Sequence, residues 1–470
     1  MNAWFDAADE KARLRAQATL RAHDWPAGLL SALARLRAAG GRAWIVGGSV
    51  RDALLGRATE GDVDVSTDLV PERVRGIFPR VEPIGEAHGT LLLLWEGVRI
   101  ECTTLRREGA YADARHPDEV WFTLDPLEDL ERRDLTVNAL AFDPVAGELL
   151  DPGGGALDLE RRRLRAVGDP VARFREDALR PLRVARLAAV LGMEPVEETR
   201  AALPSANDLA PGLAIERVRT ELEKLLRAPR PSTGLEILRE AGLLAIWLPE
   251  LQRCRGVPQN RFHAYDVYFH SLYSCDAAPA DKPVVRWAAL LHDIGKPDTR
   301  VERAGDGTFY NHQFVGATLA DALLARLRFS TAFREQVVHL VREHMFDYHT
   351  NWSDAAVRRW LRRVGPDAVA DLFDLRIADA MGNGLKAASP ETLAGMGARI
   401  ERLLAEGAAL RVSDLAVDGR DVMRVLGIEP GPAVRQALTA LLEEVLDDPA
   451  RNTRERLLER LEERRRGASI

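Results

Sequence analysis

From about Leu30 to Val167 apolar residues come in short alternating runs broken by turns, the period-2 pattern of half-buried strands. The predicted strands are Trp44–Val46, Val63–Ser66, Leu91–Trp95, Val98–Leu105 and Val120–Leu124, with Glu96-Gly97 as a hairpin signal. Glu72–Phe78 and Val137–Ala141 are predicted helices. After Asp151-Pro-Gly-Gly-Gly155 the pattern changes. From Pro170 onward apolar positions follow helical spacing, with breaks at Pro204, Pro211, Pro229–Pro231, Gly242 and Pro249. The span from Gln259 to Gly384 is helical and rich in histidine. Asp418-Gly-Arg-Asp421 reads as a helix start, and Arg451–Arg466 as a charged helix. The expectation is an α+β protein. An N-terminal helical segment (1–29) precedes a mixed-sheet head (30–167), followed by all-α regions over 168–227, 228–387 and 388–470.

A chain of 470 residues has ample length for several cores. No apolar run is long enough for a membrane span, and Met1–Arg21 has no signal-peptide core, so no membrane partner is expected. Cys102, Cys254 and Cys275 lie far apart in no zinc spacing, which suits a reducing, cytoplasmic setting. The net charge of −7 argues against a surface coated for non-specific nucleic-acid binding, so any RNA contact must lie on a local basic surface. The basic residues are nearly all arginine, a bias of coding composition, and Arg464-Arg-Arg466 reads as a solvated helix face.

The chemistry begins at Gly61-Asp-Val-Asp-Val-Ser-Thr67, downstream of Val46-Gly-Gly-Ser-Val-Arg-Asp52. On a strand, Asp62 and Asp64 point to one face. Such carboxylates are hard oxygen ligands for Mg²⁺, and paired ions can clamp the attacking and leaving oxygens of a phosphoryl displacement. Alone, Asp-x-Asp also describes a solvated strand end. The preceding Gly47 and Gly48, which permit close backbone approach to a phosphate, and the Arg51 cation select the nucleotidyl-transfer reading.

Arg132-Arg-Asp-Leu-Thr-Val-Asn-Ala139 is expected around a helix start that offers N–H groups to a phosphate, with Asp134 or Asn138 toward a ribose hydroxyl. Glu176-Asp-Ala-Leu-Arg180 is expected to open one long helix on which Asp177, Arg180, Arg183 and Arg186 form a polar stripe. Leu179, Leu182, Leu187 and Val190 would take its buried side. The stripe suits a base edge: cytosine and adenine each present an exocyclic amine beside a ring-nitrogen acceptor, matching a carboxylate and a guanidinium. Uracil and guanine carry an oxygen where the amine would be. An i,i+3 salt-bridged surface helix is the plainer alternative for this segment.

Gly47-Gly-x-x-Arg-Asp52, Asp62-x-Asp64, Arg132-Arg-Asp-x-Thr-x-Asn-Ala139, Glu176-Asp-x-x-Arg180 and Glu216-Arg-x-x-x-Glu221 together resemble the ordered motifs of class II tRNA nucleotidyltransferases, the bacterial CCA-adding enzymes. The resemblance covers roughly Ala43 to Leu226. It implies a nucleotidyltransferase head followed by helical neck, body and tail, acting on tRNA with CTP and ATP. It makes Asp62 and Asp64 the Mg²⁺ ligands, places Gly48, Arg51 and Arg133 on the triphosphate and sugar, and makes Asp177 and Arg180 the amino-acid template, with Arg183 and Arg186 completing the pocket. The loop Arg57-Ala-Thr-Glu-Gly61 carries one residue more than the commonest family spacing, a cheap insertion. Glu101 is the candidate third carboxylate, or equally an exposed strand residue. Arg107–Glu119 resembles the flexible loop of enzymes that add the terminal A.

A second metal-site candidate follows. His270, adjacent His292 and Asp293, His312, His344 and Asp379 resemble the HD phosphohydrolase pattern, with Lys296 as a phosphate contact. Imidazole and carboxylate together suit a divalent metal without choosing which. The alternatives are an A-adding enzyme, a poly(A) polymerase, or, in a different class, an HD phosphohydrolase acting on RNA ends with the head as a tRNA-binding module.

Overall fold

The computed structural model describes residues 7–58, 61–85, 89–108, 120–261, 263–303, 306–385 and 390–467. The chain divides into two compact units, Met1–Pro249 and Glu250–Ile470.

The first unit is built on strands β1 (Ala43–Val46), β2 (Val63–Thr67), β3 (Val81–Gly85), β4 (Thr90–Trp95), β5 (Val98–Thr104), β6 (Arg106–Glu108), β7 (Val120–Phe122), β8 (Ala141–Asp143) and β9 (Glu148–Leu150). Seven of them form a mixed sheet in the order β3-β4-β5-β2-β1-β8-β9, and β6 pairs with β7 separately. Only β2 and β5 run parallel within the large sheet, and their register sets Asp64 directly beside Glu101. All four residues of β1 are buried, as a strand covered on both faces requires. The helix Ala27–Ala38 packs on β1, β4 and β5 through Leu29, Leu33 and Leu36, and it runs through the expected boundary at 29/30. Glu96 and Gly97 both take positive φ (45° and 79°), the left-handed pair that closes a tight hairpin between β4 and β5.

Two expectations are corrected. Val137–Ala141 is not a helix: Thr136–Asn138 forms one 3₁₀ turn, and Ala141 and Phe142 join the sheet beside Val46 and Ile45. A buried run this short carries no decisive periodicity, and the ladder with β1 decides it. The predicted long helix from Glu176 is also broken. Pro170–Glu176 and Arg180–Leu191 are separate helices, with Asp177 extended between them (φ −138°, ψ 105°). Pro181 is the reason. It has no N–H for the Asp177 carbonyl and its ring would clash there, whereas proline suits a helix's first turn. Asp177 Oδ1 accepts instead from the Leu179 N–H at 3.1 Å. Leu179 at the N-cap of the second helix and Leu182 and Leu187 on it are buried as expected, and Val190 is half-buried. The helices Ile215–Leu226 and Pro231–Glu240 pack against it. At Gly234 an added Cβ would stand 2.6 Å from the Ala185 carbonyl oxygen, so this crossing requires glycine.

In the second unit Val267–Ala277, Pro283–Leu291, His312–Arg326, Thr331–Glu343 and Val369–Gly382 form the helical body. Beyond it Asp418 caps Gly419–Leu426 in a reciprocal box with Asp421, the start read from the sequence. Among the described residues no helix is long and apolar enough to cross a membrane.

Candidate functional site

In the first unit one cavity of about 590 Å³ gathers most of the candidate residues. Its lining includes Gly47, Gly48, Arg51, Asp62, Asp64, Glu101, Arg133, Asp134, Asn138, Asp177, Arg180, Arg183 and Arg186. Strand alternation builds one wall. Val63 and Val65 turn into the core, and Asp62 and Asp64 stay half-buried on the cavity side. Burial, then the nearby Asp64 and Asp62, push the Glu101 carboxyl up. Burial is also the largest influence raising Asp64, against the lowering by Arg133 and Arg51. This crowd of oxygens is the donor set a hard divalent cation relieves. Arg99 on β5 holds Asp62, with Nε at 2.6 Å and Nη2 at 3.3 Å. Gly47 sits at φ 63°, and a Cβ there would lie 2.7 Å from Arg133 Nη1, so this turn admits only glycine.

A network links that wall to the opposite one. Arg51 pairs with Asp52 at 2.9 and 3.0 Å and donates from Nη1 to Asn138 Oδ1 at 2.5 Å. Asn138 Nδ2 donates to Asp134 Oδ1 at 3.0 Å, and Arg183 Nε donates to Asp134 Oδ2 at 2.7 Å. Burial would raise buried Asp134, but Arg183 and Asn138 outweigh it and hold the carboxyl well below the usual range. Arg186 Nε donates to Glu221 Oε2 at 2.5 Å, and Arg217 Nη2 donates to Asp177 Oδ2 at 2.8 Å. Arg180 reaches Glu176 Oε2 at 2.7 Å and the Arg132 carbonyl at 3.2 Å. Asp134 and Asn138, the two alternatives for a ribose contact, are therefore both engaged within the protein. The Arg132–Ala139 motif sits at a single 3₁₀ turn after the helix Pro126–Glu131, without the helix start expected for it. Residues 59–60 of the Arg57–Gly61 loop and 109–119 of the Arg107–Glu119 loop lie outside the described residues.

Sequence reasoning missed Asp129. Its buried carboxylate accepts from Arg132 Nη2 at 2.7 Å and Arg133 Nη2 at 3.2 Å. Burial pushes it up, yet the two guanidiniums hold it below the ordinary value. Nothing in Leu127-Glu-Asp-Leu130 distinguishes Asp129 from a solvated helix acid. Asp129→Ala removes the buried carboxylate that Arg132 and Arg133 share, so we expect a stability loss of about 3 kcal/mol in urea unfolding. CTP and ATP affinity should weaken together, and unchanged values for both quantities would remove it from this role.

In the second unit all six HD candidates meet. His292 caps Pro283–Leu291 with Asp293 next, His312 opens one helix, His344 ends another, and His270 and Asp379 project from two more. Asp293 Oδ2 lies 3.4 Å from His270 Nε2 and 3.2 Å from His292 Nε2. Asp293 Oδ1 lies 3.2 Å from His312 Nε2 and 3.8 Å from His344 Nε2. Asp379 Oδ1 is 3.1 Å from His270 Nε2. Two groups of three ligand atoms, His270–His292–Asp293 and Asp293–His312–His344, each lie within 4.8 Å. The Nδ1 atoms of His292, His312 and His344 meet the carbonyls of Ala289, Phe309 and Val341 at 2.8, 2.7 and 2.6 Å. A carbonyl only accepts, so each Nδ1 carries the proton, and a neutral ring then presents a bare Nε2 lone pair. Burial pushes His344 down to about 3, which keeps it neutral. His312 and His344 aim Nε2 at each other across 3.3 Å, an arrangement a shared cation resolves. Asp293 Oδ1 is buried and accepts no hydrogen bond, a further fit to a metal. Lys296 is buried, with Nζ at 2.6 Å from both Asp293 Oδ2 and Gln259 Oε1.

Residues 43–165 match the family model of the poly A polymerase head domain, and 262–384 match that of the HD domain. Residues 192–254 match the probable RNA and SrmB-binding site of polymerase A. A CCA-adding enzyme of Anoxybacillus flavithermus is 44% identical over 222 residues, 47% of this chain and 55% of that protein. The chain thus spans about half the length of that relative, while a CCA-adding enzyme of Geobacillus stearothermophilus is 33% identical over 93% of this chain and 96% of its own. The crystal structure of the Bacillus stearothermophilus CCA-adding enzyme in complex with CTP superposes with a TM-score of 0.74 at 28% identity, covering 94% of this chain and 98% of that one. Head, cavity and helical body define a nucleotidyltransferase with an HD domain. The chain belongs to the CCA-adding enzyme family of tRNA nucleotidyltransferases.

Proposed function

We propose that this chain adds C, C and A to the 3′ end of tRNA from CTP and ATP without a nucleic-acid template. The observation that carries the reading is the single cavity whose one side holds Asp62, Asp64 and Glu101 and whose other holds Asp177, Arg180, Arg183 and Arg186. The CTP bound by the solved relative supports the nucleotide class, and full-length likeness to a CCA-adding enzyme supports the product. Asp62 and Asp64, with Glu101 beside them, hold Mg²⁺ here. Bound Mg²⁺ supplies a Lewis acid that favours ionisation of the tRNA 3′-hydroxyl and neutralises the departing pyrophosphate. Arg51 and Arg133 orient the triphosphate beside Gly47 and Gly48. Asp177 accepts from the exocyclic amine of the base, and Arg180 donates to the ring nitrogen. Arg183 and Arg186, fixed by Asp134 and Glu221, close the pocket. In this reading the head spans 30–167, the neck 168–227, the body 228–387 and the tail 388–470, except that the whole helix Ala27–Ala38 goes with the head and Pro231–Glu240, within the unit Met1–Pro249, goes with the neck.

The deciding assay is primer extension on tRNA lacking CCA, CA or A, with CTP, ATP or both. Addition of CCA with both nucleotides is expected. Extension of only the tRNA lacking A makes the chain an A-adding enzyme, and long homopolymer products make it a poly(A) polymerase.

The geometry at Asp293 favours a second activity. The HD centre holds divalent metal and hydrolyses a phosphoester, a 2′,3′-cyclic phosphate at an RNA end, independently of the head. Each Asp293 oxygen faces its own pair of imidazoles, so metal analysis of reconstituted protein should find up to two ions per HD domain beyond those of the head. His292→Ala and Asp293→Ala should lose them together with hydrolysis of cyclic and terminal phosphates. Full occupancy in both variants, or no metal uptake and no hydrolysis by the parent chain with Mn²⁺, Ni²⁺, Co²⁺ or Mg²⁺, would make the centre structural.

A further inference from the structure

Many exposed arginines of this acidic chain pair with its own carboxylates, as in Arg15–Glu160, Arg175–Asp208 and Arg326–Glu250. At the end of the helix Ile215–Leu226 three cations close in sequence do not. Lys224, Arg227 and Arg230 are exposed and make no ion pair or side-chain hydrogen bond among the described residues. From Lys224 to Gly234 the sequence Lys-Leu-Leu-Arg-Ala-Pro-Arg-Pro-Ser-Thr-Gly contains no acid. Leu225, Leu226 and Ala228 are buried and anchor the segment, so the three cations share the outward side. Pro229 and Pro231 bracket Arg230, and Pro231 opens the following helix, so this arginine sits on stiffened backbone.

The segment is continuous with the nucleotide cavity. Arg217 and Lys224 both line it, seven residues or about two turns apart on one helix face, with Arg217 holding Asp177. Arg227 is three residues beyond Lys224, a rise of about 4.5 Å, on the scale of the distance between successive backbone phosphates.

We propose that Lys224, Arg227 and Arg230 form a phosphate track that carries the 3′ strand of the RNA primer away from the nucleotide cavity. The inference rests on the proposed tRNA substrate. The strand whose 3′-hydroxyl attacks must lie beside the incoming nucleotide, and its last phosphates are the polyanion within reach of that rim. The negative end of the helix dipole opposes an anion here, but three full charges outweigh a half charge whose last carbonyls are partly capped by the Arg227 and Ala228 N–H groups. The other source of phosphate is the triphosphate of the incoming nucleotide, which the same cations would hold if they served the cavity alone.

The test uses the full chain and a fluorescent tRNA ending before CCA, with anisotropy followed from about 50 to 200 mM KCl. The variants are Lys224→Ala/Arg227→Ala/Arg230→Ala and the double Arg227→Ala/Arg230→Ala, with circular dichroism to verify folding. Each lost phosphate contact lowers the slope of log affinity against log salt by about 0.7 to 0.9, so the triple variant should lose about 2 to 3 and the double about 1.4 to 1.8. tRNA affinity of the triple variant should fall at least tenfold near 100 mM salt, and the double variant, which keeps the cavity-lining Lys224, should bind CTP within about twofold of the parent chain. Unchanged slopes and tRNA affinity in both variants overturn the track. CTP affinity of the double variant falling in step with its tRNA affinity overturns it too, since Arg227 and Arg230 would then serve the triphosphate. If the parent chain itself neither binds nor extends tRNA, the proposed function fails before the track is reached.

Discussion

Asp64→Ala is expected to abolish nucleotide addition, by on the order of a thousandfold or more, with the fold and tRNA binding retained, and Asp62→Ala should follow it. Asp64 faces Glu101 across the parallel β2–β5 pair and stands at the junction of the cavity's negative and positive walls. Burial raises its proton affinity against the lowering by Arg133 and Arg51, and a bound cation would favour its ionised form. Removing either carboxylate takes away oxygens that a divalent ion needs at the α-phosphate, a loss felt in the transition state and not in tRNA affinity. The alanine should not unfold the head. Asp64 is half-buried, and its backbone N–H bond to Ser49 Oγ at 3.0 Å does not involve the deleted carboxylate. Single-turnover incorporation within tenfold of the parent chain for either variant would take that aspartate out of the metal site.

The two walls of the cavity were legible to different degrees for physical reasons. Period-2 alternation with Val63 and Val65 marks Asp62 and Asp64 as facing one way wherever the strand ends up. Strands β3, β6, β8 and β9 are short or polar and gain their identity from neighbours, Ala141 and Phe142 most plainly. The template segment was legible as chemistry but not as shape. Asp177 and Arg180 do meet in the cavity, yet from opposite sides of the break that Pro181 imposes. That break frees Asp177 from a helix face and lets Arg217, on a helix forty residues onward, take its second oxygen. Contacts of such separation leave no local trace. Asp129 shows this best, since its function as the counter-charge of Arg132 and Arg133 arises only when the chain folds over it. The histidines of the body were legible by order, but the division of Asp293 into two oxygens facing two imidazole pairs is a property of four helices at once.

Asp177→Ala should relax discrimination against UTP and GTP more than it weakens triphosphate binding. Asp177 has a spare acceptor direction on a carboxylate already oriented by the Leu179 N–H at 3.1 Å and by Arg217 at 2.8 Å. Presented with cytosine or adenine, that acceptor meets an amine. Presented with uracil or guanine it meets an oxygen, and each such mismatch costs roughly 1–3 kcal/mol because a desolvated polar atom is left unpaired. Deleting the carboxylate removes both the penalty and the favourable bond. CTP and ATP incorporation should therefore fall as the ratios CTP/UTP and ATP/GTP drop about tenfold or more. Arg51→Ala is the contrast. Arg51 lies on the phosphate side and should weaken all four nucleotides alike. The chain Arg51–Asn138–Asp134–Arg183 does connect it to the base side, so a small change in the ratios can pass along these bonds. That leakage is bounded, because Arg183 stays paired with Asp134 when Arg51 is gone, and it should stay within about threefold, under 1 kcal/mol. Incorporation efficiencies of the four nucleotides, measured singly on tRNA ending before C and before A, give both ratios for each variant. Wild-type ratios in Asp177→Ala beside altered ratios in Arg51→Ala would reverse the assignment, putting base recognition on the phosphate side of the cavity.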